Sequence, residues 1–474
     1  MKACLLNTLI RSVQGEVVST VKTSFSSVGT DTRVDLTDHI FFALVGDQFD
    51  AHDFLDQAVQ KGAACLVVHR DTPMISRLAP WVTIIKVKDT LKALQEFANY
   101  CRLNSSATIV GITGSNGKTT SKEFTATLLS QYKQTHFSKG SFNNHWGVPL
   151  TLLSEPEDSE VTIVEMGMNH YGELTSLSRI AVPDIVVCTT VGRAHIEHFG
   201  SISNIAKAKE EIYFAAPDKA IRIYNLDNPE TLLMHQKALA QYPKAKQIIT
   251  FSKGNMKADV MMQLEKLKID ELKIKGMIAG VSGNITVPVF GAQNVINLMV
   301  AACIGLAVGL KPDEIWEGLK KCKTIWGRNQ MIKTETGAKI LFDGYNANPD
   351  SMRALIDNVN IIKTTGKKIG VFGQMLELGS MSPALHRELG ESVGRAGFSQ
   401  VWFFGQDWES FEKGLMHVGY RSNVLLTEDF EERIAEQIAV GLSSEDIVLV
   451  KGSRGMKMER FLRFVHPLEF SEKA

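Results

Sequence analysis

The chain lacks the features that mark secreted, membrane-spanning or nucleic-acid-binding proteins. Its six cysteines are scattered without a CxxC pair, so neither a zinc site nor a disulfide framework is indicated. Lysine plus arginine (52) equals aspartate plus glutamate (52), which leaves no basic excess for nucleic acid. No apolar run approaches the roughly 18 residues of a membrane span, and Arg11 interrupts the short apolar stretch of a possible signal peptide. We therefore expect a cytoplasmic protein with no nucleic-acid partner and no membrane span, and a monomer by default.

What the chain does have is a glycine-rich stretch, GITGSNGKTT, at residues 111–120. It follows an apolar run and precedes a helical pattern. Glycines let backbone N–H groups approach phosphate oxygens, and a helix N-terminus adds the positive end of its dipole. Lys118 would bridge β- and γ-phosphate oxygens, and Thr119 would offer its hydroxyl to Mg²⁺. The usual phosphate-loop pattern has Gly where this chain has Ile112, and a glycine-rich turn without a ligand is the alternative. The predicted loop residues are Gly114, Ser115, Asn116, Gly117, Lys118, Thr119 and Thr120.

Short apolar runs alternate with helical patterns over the 474 residues, which indicates an α/β fold with largely parallel sheets. Residues 250–290 alternate instead like antiparallel strands. Length predicts about three domains. We expect a small N-terminal α/β domain (1–104), a central domain with a P-loop ATPase-type parallel sheet (105–327) and a C-terminal Rossmann-like domain (328–474). The strand candidates are IFFALVG (40–46), ACLVVH (64–69), VTIVEMG (161–167), DIVVCTTVG (184–192), AIRIYNLD (220–227), KILFDGYN (339–346), KKIGVFGQM (367–375), QVWFFG (400–405) and DIVLVKGS (446–453).

Four other residues are candidates, each with a purely structural alternative. Glu165 ends an apolar strand, and a carboxylate beside a phosphate loop often holds Mg²⁺; pairing with a lysine would also explain it. His195 follows the next strand candidate, at the edge where parallel sheets bind ligands, although a structural role is as consistent with its type. By composition alone, Lys207 and Lys209 are both solvated lysines of a surface helix.

Taken together and in this order, five stretches resemble the Mur ligases of peptidoglycan synthesis: GITGSNGKTT, EMGMNHYGEL, AHIEHFGSISNIAKAKEEIY, GAQNVINLMVAA and YNANPDSM. The resemblance is strongest to the members that add D-alanyl-D-alanine, through KGSFNNHWGVPLTLL, DGYNANPDSM, FGQMLELG and VKGSRGMKME. It extends over almost the whole chain. It implies three domains, of which the first grips a UDP-sugar, the second binds ATP and the third is Rossmann-like.

The resemblance also implies residue roles. Lys118, Lys209 and His195 would be catalytic, with Lys209 carbamylated. Thr119, Glu165, His195 and Lys209 would form the Mg²⁺ site. ATP would contact, besides the phosphate loop, Asn294, Asn297, Arg328, Asp343, Tyr345 and Asn346. The UDP-sugar substrate would contact Thr32, Arg33, Asn143 and Asn144. The chain departs from the family pattern at Gln293, where histidine is commoner, and at Phe342, where an acidic residue is usual.

The implied reaction is ATP-dependent amide ligation. ATP would phosphorylate the terminal carboxylate of UDP-MurNAc-tripeptide, and the amine of D-alanyl-D-alanine would displace phosphate from the acyl phosphate. Two alternatives stay open. One is a sister ligase that adds a single amino acid, although no DNPR motif occurs in the last domain. The other is a nucleotide-binding switch, although no NKxD guanine-reading motif is present.

Overall fold

The computed structural model describes residues 4–46, 48–241 and 248–468. Over those ranges, no helix is both long and apolar enough to cross a membrane. The chain divides into two compact units. The first comprises the described parts of Met1–Thr113, Tyr132–Val186 and Glu211–Ile221, and the second those of Gly114–Gln131, Val187–Glu210 and Arg222–Ala474. The domain boundaries expected from the sequence remain predictions.

The N-terminal hundred residues form a small α/β layer structure. Its strands are β1 (Cys4–Leu5), β2 (Glu16–Ser19), β3 (Ser24–Phe25), β4 (Ser27–Gly29), β5 (His39–Phe42), β6 (Cys65–Val68) and β7 (Thr83–Lys86), and its helices are α1 (Leu6–Val13), α2 (Leu55–Gln60), α3 (Pro73–Leu78) and α4 (Thr90–Leu103). The main sheet has the order β2-β7-β6-β5-β4, parallel except for β2. Asp89 starts α4 because its carboxylate accepts from the N–H groups of Leu91 and Lys92.

The next two hundred residues supply most of the predicted ligand-binding positions. The strands are β8 (Thr108–Thr113), β9 (Thr135–Phe137), β10 (Val161–Glu165), β11 (Ile185–Cys188), β12 (Ile221–Asn225), β13 (Ile248–Ser252), β14 (Val260–Leu267), β15 (Leu272–Ile278) and β16 (Val281–Val287). The helices are α5 (Lys118–Leu129), α6 (Gly147–Leu153), α7 (Glu173–Ala181), α8 (Ile196–Phe199), α9 (Ile202–Ala215), α10 (Pro229–Gln241), α11 (Asn294–Ala307) and α12 (Pro312–Leu319). In the first unit, β10 pairs in parallel with β8 and β9. In the second, β12, β13 and β14 are parallel. The pairs β14–β15 and β15–β16 are antiparallel, which confirms the prediction for residues 250–290 over β14 to β16, whereas β13 at the start of that range is parallel.

The last part of the chain is Rossmann-like. Its strands are β17 (Gln330–Lys333), β18 (Lys339–Asp343), β19 (Lys368–Gly373), β20 (Gln400–Phe404), β21 (Asn423–Thr427) and β22 (Ile447–Lys451), and its helices are α13 (Pro349–Ile361), α14 (Ser382–Arg395), α15 (Trp408–His417) and α16 (Glu432–Val440). The sheet order is β17-β18-β22-β19-β20-β21, and only the edge strand β17 is antiparallel. Asn348 caps α13, and its side chain accepts from the Ser351 N–H.

The strand candidates from the sequence are confirmed, but the strands stop earlier than the apolar runs predict. The run 161–167 ends as a strand at Glu165, and the run 367–375 ends at Gly373. In each case the residues left over form a loop at the carboxyl edge of the sheet. Ligands of parallel sheets bind at that edge, where Glu165 and Asp343 are the last residues of their strands and Tyr345 and Asn346 lie in the loop that follows β18.

Candidate active site

The phosphate loop lies between the end of β8 and the start of α5, and its glycines are required by space as well as by backbone angle. Gly114 has a φ of +145°, and a Cβ there would lie 2.0 Å from the hydroxyl oxygen of Thr189. Gly117 has a φ of +81°, and its Cβ would lie 2.4 Å from Asn297 Oδ1. No side chain caps α5 at Gly117, so its first N–H groups face the place where an anion would bind.

The lysine and threonine that follow the loop are positioned for phosphate chemistry. Lys118 folds back over the loop, and its Nζ donates to the carbonyl oxygen of Gly114 at 2.7 Å. Arg328 donates through Nη2 to the hydroxyl of Thr119 at 3.1 Å, and its guanidinium lies 4.1 Å from the ring centre of Tyr345. Arg328 Nε is buried and has no acceptor among the described residues. The structure therefore brings Arg328 and Tyr345 to the predicted loop. The Nε–H of Arg328 is left as a hydrogen-bond donor for a ligand.

Other loop residues have structural partners of their own. The hydroxyl of Ser115 accepts from the Gly192 N–H at 2.9 Å and donates to the Gly192 carbonyl at 3.2 Å. The side-chain amide of Asn348 donates to Asn116 Oδ1 at 2.8 Å. These contacts brace the loop by its side chains and leave phosphate recognition mainly to backbone groups and to Lys118. Thr120 is half-buried in the first turn of α5.

The asparagines of α11 brace the same loop. Asn294 and Asn297 are both buried, and Asn297 Nδ2 donates to Asn294 Oδ1 at 2.8 Å. Asn297 Oδ1 accepts from the Ser121 hydroxyl at 3.1 Å. Just before the helix, Gln293 Oε1 accepts from Asn358 Nδ2 at 2.6 Å. The contact with ATP expected of the two asparagines remains a prediction, while the hydrogen bond between Asn297 and Ser121 in the first turns of α5 is a feature of the fold.

The end of β18 forms a buried ion pair. Asp343 Oδ2 lies 2.5 Å from Lys451 Nζ, and Asp343 Oδ1 accepts from the Asn329 N–H at 3.2 Å. Lys451 also donates to the carbonyl of Asn346 at 3.0 Å. Burial lowers the pKa of Lys451, and the carboxylate of Asp343 opposes that shift. Phe342 points into the core, which explains why the chain tolerates an apolar residue before Asp343.

Lys209 is not a surface lysine, so the interpretation from composition was wrong for this residue. Lys207 is exposed, whereas Lys209, two positions later on α9, is 1 % exposed. Burial, and then the nearby charge of Lys118, lowers the pKa of Lys209 from 10.5 to about 7. A large fraction of Lys209 is thus neutral at neutral pH, and a neutral amine is the form that can react with carbon dioxide.

His195 lies at the start of α8, and its surroundings were not visible in the sequence. Its Nδ1 is 2.8 Å from Glu377 Oε2. The two atoms are close but not in line, because by angle Nδ1 has no hydrogen-bond acceptor among the described residues. Burial and the charges of Lys118 and Lys209 lower the pKa of His195, against the opposing effect of Glu377. A neutral imidazole is the form that binds a metal. His198, three residues later, is exposed.

In the first unit, Glu165 ends β10 with one oxygen satisfied and one not. Its side chain is buried, and Oε1 accepts from Asn143 Nδ2 at 2.8 Å, so its partner is an amide rather than a lysine. Its Oε2 is buried without a hydrogen-bond partner in the described part of the chain. Such an oxygen is costly unless a cation or water meets it. Asn144 accepts through Oδ1 from the Gly147 N–H at 2.9 Å and so helps to start α6.

Of the two residues predicted to contact the uridine part of the UDP-sugar, also in the first unit, Arg33 is exposed and Thr32 is half-buried. Arg33 forms a two-pronged contact with Asp31, with Nε and Nη2 at 2.9 and 2.7 Å from carboxylate oxygens. This contact lowers the pKa of Asp31. The hydroxyl of Thr32 donates to Gln57 Oε1 at 3.4 Å. The roles of these residues and of Asn143 and Asn144 towards a UDP-sugar remain predictions.

The donor set of the predicted metal site fits Mg²⁺. The described residues contain no cluster of three or more His, Cys, Asp and Glu side chains that could hold a metal by themselves. Mg²⁺ commonly uses one or two protein oxygens together with water and substrate phosphates. Taken each by itself, the first unit offers an oxygen of this kind in the unpaired Oε2 of Glu165, and the second offers the hydroxyl of Thr119; His195, also in the second, would be a nitrogen donor.

Sequence reasoning missed three residues that the structure places beside predicted ones. Glu377 faces His195, Lys451 pairs with Asp343, and the Asn329 N–H binds the same aspartate. Glu377 and Lys451 are distant in sequence from their partners. Asn329 is separated from Asp343 by the antiparallel pair β17–β18. Only their presence in the stretches FGQMLELG, VKGSRGMKME and IWGRNQ could have drawn attention to them.

Comparison with known proteins bears on the family to which the chain belongs. The Mur ligase middle domain matches residues 112–305, and the Mur ligase glutamate ligase domain matches residues 327–454. A UDP-N-acetylmuramoyl-tripeptide–D-alanyl-D-alanine ligase of Bacillus subtilis is 33% identical over 442 residues, which cover 93% of each chain. The chain belongs to the Mur ligase family.

Solved structures extend the likeness to the fold. A crystal structure of MurF from Acinetobacter baumannii has a TM-score of 0.87 and 27% identity, and the match covers 98% of this chain and 99% of that one. MurF from Thermotoga maritima, solved in complex with ADP, has a TM-score of 0.77 and 28% identity, with 93% and 96% covered. The α/β fold with three domains predicted from the sequence is confirmed for this Mur ligase.

Proposed function

We propose that this Mur ligase joins D-alanyl-D-alanine to UDP-MurNAc-tripeptide with conversion of ATP to ADP and inorganic phosphate, in the cytoplasmic synthesis of peptidoglycan precursors. The observation that carries the proposal is the close-packed phosphate loop with Lys118 folded over it, in the same unit as the fully buried Lys209, whose pKa is lowered to about 7 by burial and by the charge of Lys118. A nucleotide switch has no need of a buried, near-neutral lysine beside its phosphates. The similarity to a UDP-N-acetylmuramoyl-tripeptide–D-alanyl-D-alanine ligase over 93% of the chain supports the choice of substrates.

The first chemical step transfers a phosphoryl group. A carboxylate oxygen of the tripeptide forms a bond to the γ-phosphorus of ATP, and the bond between that phosphorus and the β–γ bridging oxygen breaks. Little covalent help is needed, because positioning and neutralisation of charge lower the barrier. Lys118 and the backbone N–H groups of the loop would hold the phosphates. Arg328, which contacts Thr119, would add positive charge at the same place.

The second step makes the amide. The amine of D-alanyl-D-alanine attacks the acyl carbon, a proton leaves the nitrogen, and inorganic phosphate departs. Phosphate is a far better leaving group than the oxide ion that an unactivated carboxylate would have to expel. The reaction therefore consumes ATP.

We propose that Thr119, His195 and Lys209, which all belong to the second unit, hold Mg²⁺. Glu165, in the first unit, stays a predicted ligand of the ion. The ion would supply charge neutralisation for the phosphate oxygens. Lys209 can serve only after its neutral amine has formed a carbamate with carbon dioxide, which replaces a cation by an oxygen-bearing anion. Its near-neutral pKa makes this reaction accessible at physiological pH.

The proposal is tested by phosphate release from purified protein with ATP, Mg²⁺ and UDP-MurNAc-tripeptide. We expect release only when D-alanyl-D-alanine is added, together with a pentapeptide product of the corresponding mass. Release that responds to a single amino acid instead would identify a sister ligase. Release with nucleotide alone would favour the switch. Sedimentation of the same preparation checks the expected monomer.

A further inference from the structure

The loop that follows β19 holds a carboxylate against the predicted metal ligand His195. Glu377 Oε2 lies 2.8 Å from His195 Nδ1. The His195 side chain is 20% exposed and that of Glu377 51% exposed, so the ring is largely fixed while the carboxylate can still rotate into line. Both residues belong to the second compact unit.

Both residues also have unusual backbone angles. His195 and Glu377 each have a φ of 62°, in the left-handed region that non-glycine residues rarely adopt. Such conformations are unfavourable and persist only where the surrounding structure enforces them. Because both partners of one contact adopt such a conformation, we infer that the surrounding structure maintains the contact between His195 and Glu377.

The residues just before Glu377 are anchored by buried groups. The Met375 N–H donates to His386 Nε2 at 3.0 Å, and His386 Nδ1 donates to the Ser382 carbonyl at 2.8 Å. The Leu376 N–H donates to the Ser453 hydroxyl at 2.9 Å. His386 and Ser453 are both buried. The loop therefore presents Glu377 from a rigid base.

We propose that Glu377 is a positioning residue for His195. Its carboxylate accepts a hydrogen bond from the Nδ1–H of the imidazole, so that Nε2 is left as the metal-binding nitrogen. A histidine that binds a metal usually donates its other N–H to a carboxylate or a carbonyl, which fixes both the tautomer and the orientation of the ring. This inference rests on the metal site proposed above. Glu377 itself touches neither the nucleotide nor the metal in this assignment.

The competing explanation is a docking role, in which Glu377 only holds the loop after β19 against the segment 192–195. The chain offers a matched control, because Glu388 makes an equivalent contact to the same segment. Its Oε2 lies 3.0 Å from Nη1 of Arg193, two residues before His195. A docking role predicts similar effects for both glutamates, whereas a positioning role predicts an effect for Glu377 alone.

The experiment measures Mn²⁺ binding in the presence of ADP by electron paramagnetic resonance, so no turnover is involved. Wild-type protein is compared with Glu377→Ala, Glu377→Gln and Glu388→Gln. We expect Glu377→Ala to weaken Mn²⁺ binding by about 10- to 100-fold. Glu377→Gln keeps an acceptor for the Nδ1–H and should show a smaller loss. Glu388→Gln should bind Mn²⁺ as the wild type does. Metal-free ADP binding and thermal unfolding should be unchanged in all three variants.

Each other outcome is decisive. Wild-type Mn²⁺ affinity in Glu377→Ala overturns the positioning role and leaves the proposed ligase intact. Equal losses in Glu377→Ala and Glu388→Gln also overturn it, in favour of docking. If Glu377→Ala fails to fold, Glu377→Gln decides. Its amide oxygen can still accept from the Nδ1–H of His195 but carries no charge, so the positioning role predicts that this variant binds Mn²⁺ more weakly than the wild type. Absence of Mn²⁺ binding by the wild type would overturn both the metal site and this inference.

Discussion

The nucleotide region and the predicted uridine region are built in opposite ways. Around the phosphate loop, the side chains of Asn297 and Lys209 are buried, and the glycines fit against their neighbours without room for a methyl group. In the uridine region, Arg33 is 88% exposed and its guanidinium contacts a neighbouring aspartate. A site that neutralises developing charge has to be rigid before the substrate arrives. A site that only grips a substrate can be completed by the substrate itself.

The largest effect should follow from removing the lysine of the phosphate loop. Lys118→Ala takes away the charge nearest the expected phosphates, and we expect the ligation rate to fall by roughly 10²- to 10³-fold. The fold should persist, because the side chain lies at the start of α5 and alanine is a strong helix former. Phosphate release and thermal unfolding measure the two quantities. Full activity in a stable protein would remove the loop from the mechanism.

A similar loss is expected for Lys209→Ala, with a difference that identifies the chemistry. If a carbamate supplies the missing anion, short carboxylic acids added to this variant should restore part of the activity. Lys207→Ala is the control, because that side chain is exposed on the same helix. It should keep wild-type activity and show no response to added acids. A Lys209→Ala variant as active as the control would show that no carbamate is needed.

An intermediate effect is expected for Gly117→Ala, which tests whether the tight fit of the loop matters. The new methyl group would lie 2.4 Å from Asn297 Oδ1 at a φ of +81°. Gly309→Ala has almost the same backbone strain, with a φ of +88°, but no atom within 4 Å of its Cβ. Gly309→Ala should cost roughly 1–2 kcal/mol of unfolding free energy, because its Cβ approaches the following carbonyl oxygen in left-handed backbone, and should leave the KM for ATP unchanged. Gly117→Ala should cost more and raise that KM.

The smallest effect belongs to the exposed region. Arg33→Ala should raise the KM for the UDP-linked substrate without changing the KM for ATP or the midpoint of thermal unfolding. Exposed ion pairs contribute about 0–1 kcal/mol, so little stability is at stake when the Asp31 contact is lost. An effect as large as that of Lys118→Ala would erase the contrast between the two regions.

The sequence predicted the parts of the molecule in which neighbours along the chain cooperate. The alternation of apolar runs gave the strands, and the order of glycines, lysine and threonine gave the phosphate loop. It could not predict burial on a polar helix, so Lys207 and Lys209 looked alike until the fold separated them. Nor could it predict pairs made across long separations, such as Glu377 with His195 and Lys451 with Asp343. Such pairs depend on tertiary packing, which leaves no local pattern.

The central claim is that ATP activates the tripeptide carboxylate by phosphorylating it, and an isotope label tests that claim most directly. UDP-MurNAc-tripeptide labelled with ¹⁸O in its terminal carboxylate is converted with ATP and D-alanyl-D-alanine, and the released phosphate is weighed by mass spectrometry. The account predicts one ¹⁸O atom in each phosphate formed from doubly labelled carboxylate, because the oxygen that bonds to phosphorus leaves with it. Phosphate free of ¹⁸O, formed together with pentapeptide, would contradict an acyl-phosphate intermediate.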